Sequence, residues 1–524
     1  MQQHEVLVLG AGHNELVAAA YLAKAGVDVG VVEARDFIGG GTQTRENTIP
    51  GFKQETDSVV HIMVQGNPML RNDELGLISK YGLQYIYPDV QYANIFPDGS
   101  SFCIYPDIDK TCESIAAISP RDGEAYKNFF EQSKGVLDFL MAAFYSPCPP
   151  FGQITSMLDS TPEGQDILRS LLMSSWDIVN EYFYDDRVKI GMMKLANEPM
   201  MFPEAKGTGV YLFLMIPLVH MYKMGTPRGG GVQLPMALQR CLEDNGGRIY
   251  LNSKVTKILT SGGRATGVRL ESGEEMRATK AVLSGIHVKH LFGGGLLDNP
   301  PEDIVRKVQR TTPSSHSTLT ANYALNEVPK YKVGGDADKA LLVELLPFMD
   351  GFREHYDDCR LGVPPRQKVP YVACHSLVDP TKAPAGKAAI QFYDPSPYNL
   401  KDGGPQKWDE IKEQEEDKKL TWFRQFATNM GDENILARTI ISPLDLERWS
   451  PNYIDGDVMA LGSDLYQYLS NRPIPPLGQY RTPIQGLYLC GPTSHPGGGV
   501  TGGGRAPVQV VMEDLGLDFN KVIS

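Results

Sequence analysis

A chain of 524 residues with 50 Lys+Arg against 63 Asp+Glu carries a formal charge of −13, and no basic run offers the surface that a nucleic acid needs. Hydrophobic residues at 42% and charged residues at 22% exclude a disordered or fibrous chain. The length suits roughly two to four domains, or one large α/β assembly around a cofactor. Glycine is the outlier: 53 residues, about 10% where roughly 7% is usual, with no collagen period.

Residues 5–9 read as a short buried strand, and Gly10-Ala11-Gly12 opens an Ala-rich helix in which Leu16, Ala19, Ala20 and Ala23 recur at helical spacing. Gly26 stops that helix and 27–33 form a second strand, so the unit is β-α-β with parallel strands. Residues 70–225 mix helices with Tyr-rich strands. Tyr81, Tyr85, Tyr87, Tyr92 and Phe96 either line a substrate cavity or face an ordinary core. The longest apolar stretch, Val210–Met221, holds Pro217 and His220. It is shorter than the roughly 20 residues of a membrane span and reads as a buried or tunnel-lining helix, with peripheral membrane contact as the alternative.

Gly229-Gly230-Gly231 precedes a helix over 232–243, and short strands follow at 248–250, 255–259, 265–270 and 281–283. Residues 286–480 are Pro-rich, and the Glu/Lys-rich helix at 408–419 reads as a solvated face. A strand at 486–490 runs into a glycine-rich loop from Gly491 to Gly504, and a helix is expected over 505–515. The seven cysteines lack a C-x-x-C or zinc spacing, and their odd count fits reduced thiols; no metal site and no dithiol centre is expected. No leader peptide fits before Val6, so a cytoplasmic location is expected.

The β-α-β unit carries the first chemical signal. The Gly10/Gly12 turn lets backbone approach a pyrophosphate, the helix N-terminus offers free N–H groups, and Glu33 accepts ribose hydroxyls. Glu15 replaces the third glycine of the dinucleotide fingerprint; in the first helical turn it is expected to point outward. After Glu33 come Ala34, Arg35 and then Gly39-Gly40-Gly41.

That acid-to-glycine segment resembles the one that continues the dinucleotide fold in the amine-oxidase and phytoene-desaturase superfamily of flavoproteins. In the family an arginine usually follows the paired glycines; here the position is Gly41, with Arg45 nearby. Gly225–Gly231 with Val255 to Ile258 resembles the block in which the residue at Val255 meets the adenine. The run from Leu489 to Gly502, with His-Pro-Gly-Gly-Gly-Val-Thr-Gly at its end, resembles the closing flavin motif of the phytoene-dehydrogenase-related branch. The resemblance implies an α/β fold: a Rossmann-like FAD-binding domain made of 1–70, 225–290 and 480–524, interleaved with an α+β substrate domain of 71–224 and 291–479. The cofactor-binding set it implies is Gly10, Gly12, Glu33, Ala34, Arg35, Gly40, Gly41, Val255, Gly491, Val500 and Thr501.

No second strand-glycine-helix unit for a nicotinamide is visible, so electrons are expected to enter from a small organic substrate and leave to an acceptor of the oxygen or quinone type. The expected reaction is desaturation, forming a C=C bond in an isoprenoid, a cyclic ketone or an acid. Two alternatives share the architecture: a flavin amine oxidase with an aromatic cage, and a non-catalytic binding protein of the GDP-dissociation-inhibitor type. Retention of Gly10, Gly12, Glu33 and the closing loop weighs against the second. His61 and His495 are candidate proton acceptors, with loop packing as the competing role for each.

Overall fold

The run Val6-Leu7-Val8-Leu9 is apolar on both faces, as a strand covered from both sides must be. In the computed structural model, which describes residues 2–197 and 199–524, it belongs to β1 (Gln2–Leu9), inside a seven-stranded sheet. The helix α1 (His13–Lys24) crosses over to β2 (Val29–Val32), which lies parallel to β1 with Leu7 opposite Gly30. Gly26 adopts φ +84 just past α1, the left-handed geometry that ends a helix.

On its other side β1 pairs in parallel with strand Glu275–Ser284, and Leu487–Leu489 pairs in parallel with the last residues of that strand. The antiparallel strands Val255–Ser261 and Arg264–Leu270 complete that edge, and Arg248–Tyr250 lies beyond β2. Three sequence-distant pieces thus build one sheet. The chain leaving Leu489 emerges beside the turn that follows β1.

Alanines let α1 sit close to its neighbours. From Asn14 to Ala23 it is buried, between the sheet and the helices Gln233–Asp244 and Arg505–Asp514. A side chain at Gly504 would run into the Asn14 carbonyl, so the closing segment meets α1 backbone to backbone.

A second seven-stranded sheet runs Ile435–Ile441, Ser317–Leu325, Ala388–Ser396, Tyr371–Ala373, Leu342–Leu345, Tyr92–Ile95, Ser101–Ile104. Its strands are antiparallel except where Leu342–Leu345 meets Tyr92–Ile95. The helix Val210–Met221 is apolar on every face and sits in the core with Phe129, Tyr126 and Leu137, as an all-apolar helix must. It is buried rather than tunnel-lining.

The charged helix corrects a sequence expectation. It extends over Trp408–Phe426, and its Glu415, Glu416 and Lys419 are buried rather than solvated. Lys419 donates 2.9 Å bonds to the carbonyls of Leu319 and Phe392 and pairs with Glu416 at 2.7 Å, so the helix is pinned to the second sheet by charge. All seven cysteines are free. Among the described residues no helix is long and apolar enough to cross a membrane.

Candidate active site

The turn after β1 is built from backbone. Gly10 holds φ +100, a conformation glycine adopts without penalty. Gly12 precedes α1 with no side-chain cap, so the N–H groups of His13 and Asn14 are left for a ligand, while the Glu15 N–H meets its own carboxyl. Glu33, at the end of β2, accepts the N–H groups of Ala11 at 2.7 Å and Arg35 at 2.9 Å, which fixes its carboxylate at the rim of the turn. Its carbonyl accepts Ser253 N–H at 2.8 Å, which brings the segment before Val255 alongside. A Cβ on Gly40 would lie 3.2 Å from Gly12 Cα, so the two glycines touch.

Gly10, Gly12, Glu33, Ala34, Arg35, Gly40, Gly41, Val255 and Val500 all line one cavity of about 540 Å³, a volume typical of ligand sites. Gly41 takes no side chain because the Tyr453 hydroxyl fills that space, which accounts for the missing arginine of the family pattern. Arg45 instead lies 4.0 Å from the Phe37 ring centroid, and Arg35 stacks 4.1 Å from Trp449.

Glu15 does not point outward. It is buried, lines the cavity, and is walled by Gly10, Gly12, Gly285 and Gly491. Burial first, and then the Glu33 charge, raise it to about 7. Asp57, also in the wall and 3.3 Å from the Tyr453 hydroxyl, is raised by burial to about 7 as well.

The N-terminus of α1 also holds the closing loop. Asn14 Oδ1 accepts Gly503 N–H at 2.7 Å, and His13 Nε2 lies 3.2 Å from the Gly499 carbonyl. Val500 reaches the cavity wall. Thr501 stands behind it, its N–H bonded to Gly499 and its carbonyl to Asn67. Gly491, at φ +95, lies against the Glu15 carboxyl rather than in the wall. Neither candidate histidine lines the cavity. His61 bonds Tyr85 at 2.8 Å and Ser58 at 3.1 Å, and burial lowers it to about 3. His495 donates to the Ala143 carbonyl at 2.7 Å and is lowered by burial to about 4, so both rings are neutral packing groups near pH 7.

The cavity's far wall is the second sheet. Tyr92, Leu342, Glu344, Tyr371 and Tyr393 line it, joined by Lys194 and Asn197 from the helical region. Of the five aromatics named from the sequence, Tyr92 alone is in the wall. Tyr371 and Tyr393 lie opposite each other in the sheet and stack at 4.6 Å, with an interplanar angle of 12°. Lys194, Glu344 and the tyrosine pair escaped sequence reading; the one available signal was a single carboxylate inside the apolar run 340–346.

The residues present fit a dinucleotide. The positive-φ glycine, the uncapped helix start and the acid at the strand end form a cradle that side chains would fill. Glu15 opposes an anion only when ionised.

Residues 16–322, more than half of the chain, match the family described as flavin containing amine oxidoreductase. A limonene dehydrogenase polypeptide of Castellaniella defragrans is 26% identical, over 99% of this chain and 96% of that protein. Pyridine nucleotide-disulfide oxidoreductase domain-containing protein 2 of Rattus norvegicus is 28% identical, over 98% and 94%. The lycopene-forming phytoene desaturase of Pantoea ananas is 24% identical, over 97% and 99%. Among solved structures, a putrescine oxidase variant superposes with a TM-score of 0.63 at 13% identity, covering 98% of this chain and 99% of that one. The chain belongs to the flavin-containing amine oxidoreductase family and is an FAD-dependent oxidoreductase.

Proposed function

We propose that the protein dehydrogenates a carbon–carbon bond of an organic substrate, with FAD held in the cavity between the two sheets. One observation carries the reading: a single cavity runs from the glycine turn and Glu33 to a wall of tyrosines and apolar side chains. In that reading Gly10, Gly12, Gly40 and Gly41 bring backbone to the cofactor, and the free N–H groups of α1 face its phosphates. Glu33 takes the ribose, and Ala34, Arg35 and Val255 border the adenine half. Val500, with Thr501 behind it, borders the flavin half, and Gly491 closes over Glu15. Bound FAD supplies a hydride acceptor.

A bound flavin would gain negative charge on reduction, and the backbone of Val500, which lines the cavity, would be placed to meet it. The tyrosines support carbon–carbon chemistry over amine oxidation. Tyr371 and Tyr393 stack flat on one another, which leaves no gap between their faces for an amine. The names of relatives, a limonene dehydrogenase and a phytoene desaturase, agree with dehydrogenation at carbon rather than at an amine nitrogen.

Flavin uptake tests the cofactor part. Purified protein incubated with FAD and desalted is expected to keep the visible flavin absorbance; a colourless protein overturns the reading.

A further inference from the structure

Glu344 is a lone carboxylate in the apolar run Leu341 to Leu346. Its strand alternates, so Leu342 and Glu344 share the cavity face with Tyr92 and Tyr371, which lie opposite them on the neighbouring strands. Lys194, near the end of helix Asp186–Leu195, brings Nζ to 3.3 Å from Glu344 Oε2 and donates to the Val369 carbonyl at 2.8 Å. The two side chains are 4% and 2% exposed.

Removing two charges from water costs several kcal/mol per ion, and such pairs contribute little net stability. A pair placed in a ligand wall therefore points to a ligand. A further fact agrees: among the described residues nothing donates a hydrogen bond to Oδ1 of Asn197, three residues beyond Lys194 in the same wall.

Resting on the flavin-dependent reading above, we propose that Glu344 removes the proton from the carbon beside a carbonyl group, that Lys194 binds the carbonyl oxygen, and that the substrates are saturated carbonyl compounds. The step balances. The Glu344 carboxylate takes the α hydrogen as a proton, and the electron pair of that C–H bond becomes the second Cα–Cβ bond. The β hydrogen leaves with its electron pair as hydride to the flavin, and Glu344 returns its proton to water. A hydrocarbon offers Lys194 no oxygen and a carboxylate no acidic C–H.

The charges acting on Glu344 are Lys194 from the helix and Asp394 from strand Ala388–Ser396, the latter itself near Lys368 and His355, while the Tyr356 hydroxyl stands close by. Burial outweighs the pull of Lys194, and Asp394 adds to it, raising Glu344 to about 7, where a base works well near neutral pH.

The test is α-hydrogen exchange in deuterated water, followed by NMR with FAD-loaded protein under anaerobic conditions. Cyclohexanone and menthone are the probes and limonene the hydrocarbon control. The protein is expected to accelerate exchange of a ketone, with a rate that rises through about pH 7 as Glu344 ionises. Glu344→Gln, and the neutral double variant Lys194→Met/Glu344→Gln, should lose at least about a hundredfold of that rate, whereas Glu344→Asp recovers part of it. The double variant leaves no buried charge unpaired, so it remains informative if the single variant does not fold. Unchanged exchange in the folded double variant, or no exchange of either ketone by the wild type, overturns the proposal. Flavin uptake is read separately from visible absorbance: its failure counts against the cofactor site, while exchange decides Glu344.

Discussion

The two ends of the cavity are made of different material. At the first sheet the wall is backbone: Gly10 and Gly12 at the turn, Gly40 against Gly12, and an acid fixed by two N–H groups. At the second sheet it is side chain: a stacked tyrosine pair and a buried Lys194–Glu344 contact supplied by separate segments. A backbone wall serves a ligand whose shape does not change, and a side-chain wall is where one substrate is told from another.

That contrast is open to breakage, and the largest effect is expected at the side-chain end. Above the pH of about 7 at which Glu344 ionises, Lys194→Met leaves its carboxylate buried without a counter-charge and should lower stability by about 3–5 kcal/mol, whereas adding Glu344→Gln should return most of it. Thermal unfolding of the two variants checks this. Equal losses in both would show that the two residues do not act as a pair.

A smaller effect is expected at the backbone end. Glu33→Ala removes a charged acceptor for ribose hydroxyls, an interaction of about 1.5–3 kcal/mol, so FAD should bind roughly ten to a hundredfold more weakly. Equilibrium dialysis against FAD measures it, and unchanged affinity would remove Glu33 from the site.

The smallest effect is a pH dependence. Burial raises Glu15 from 4.5 to about 7 in the folded protein, so it is protonated below that value and ionised above. A bound pyrophosphate raises it further, and binding then takes up a proton. FAD affinity should be flat below about pH 7 and fall by up to tenfold per unit above it. Without ligand the same shift makes stability decline as pH rises from about 4.5 to about 7 and level off beyond. Glu15→Gln should flatten both profiles; if the slope persists, the proton belongs to another group, Asp57 first among them.

The β-α-β unit was legible because a local pattern specifies it: strand, positive-φ glycine, small-residue helix, glycine stop and acid all fall within residues 5–33. The closing loop was legible for the same reason. Glu15 was misread because a first-turn carboxylate ordinarily faces water, whereas here the Gly285 and Gly491 backbones fold over it. The helix Trp408–Phe426 was misread because its charges occupy the buried face as well as the exposed one. Lys194, Glu344, Tyr371 and Tyr393 come together only through helix packing and sheet register, between segments up to about 200 residues apart. No short-range pattern encodes that meeting.

Carbon–carbon dehydrogenation is tested most directly by anaerobic mixing of the FAD-loaded protein with a saturated cyclic ketone, a carotene and cyclohexylamine, while flavin absorbance is followed and products are analysed. The ketone is expected to bleach the flavin and to emerge two hydrogens poorer with a new C=C bond, the amine leaving the spectrum unchanged. Bleaching by the amine, with the ketone inert, would contradict the account.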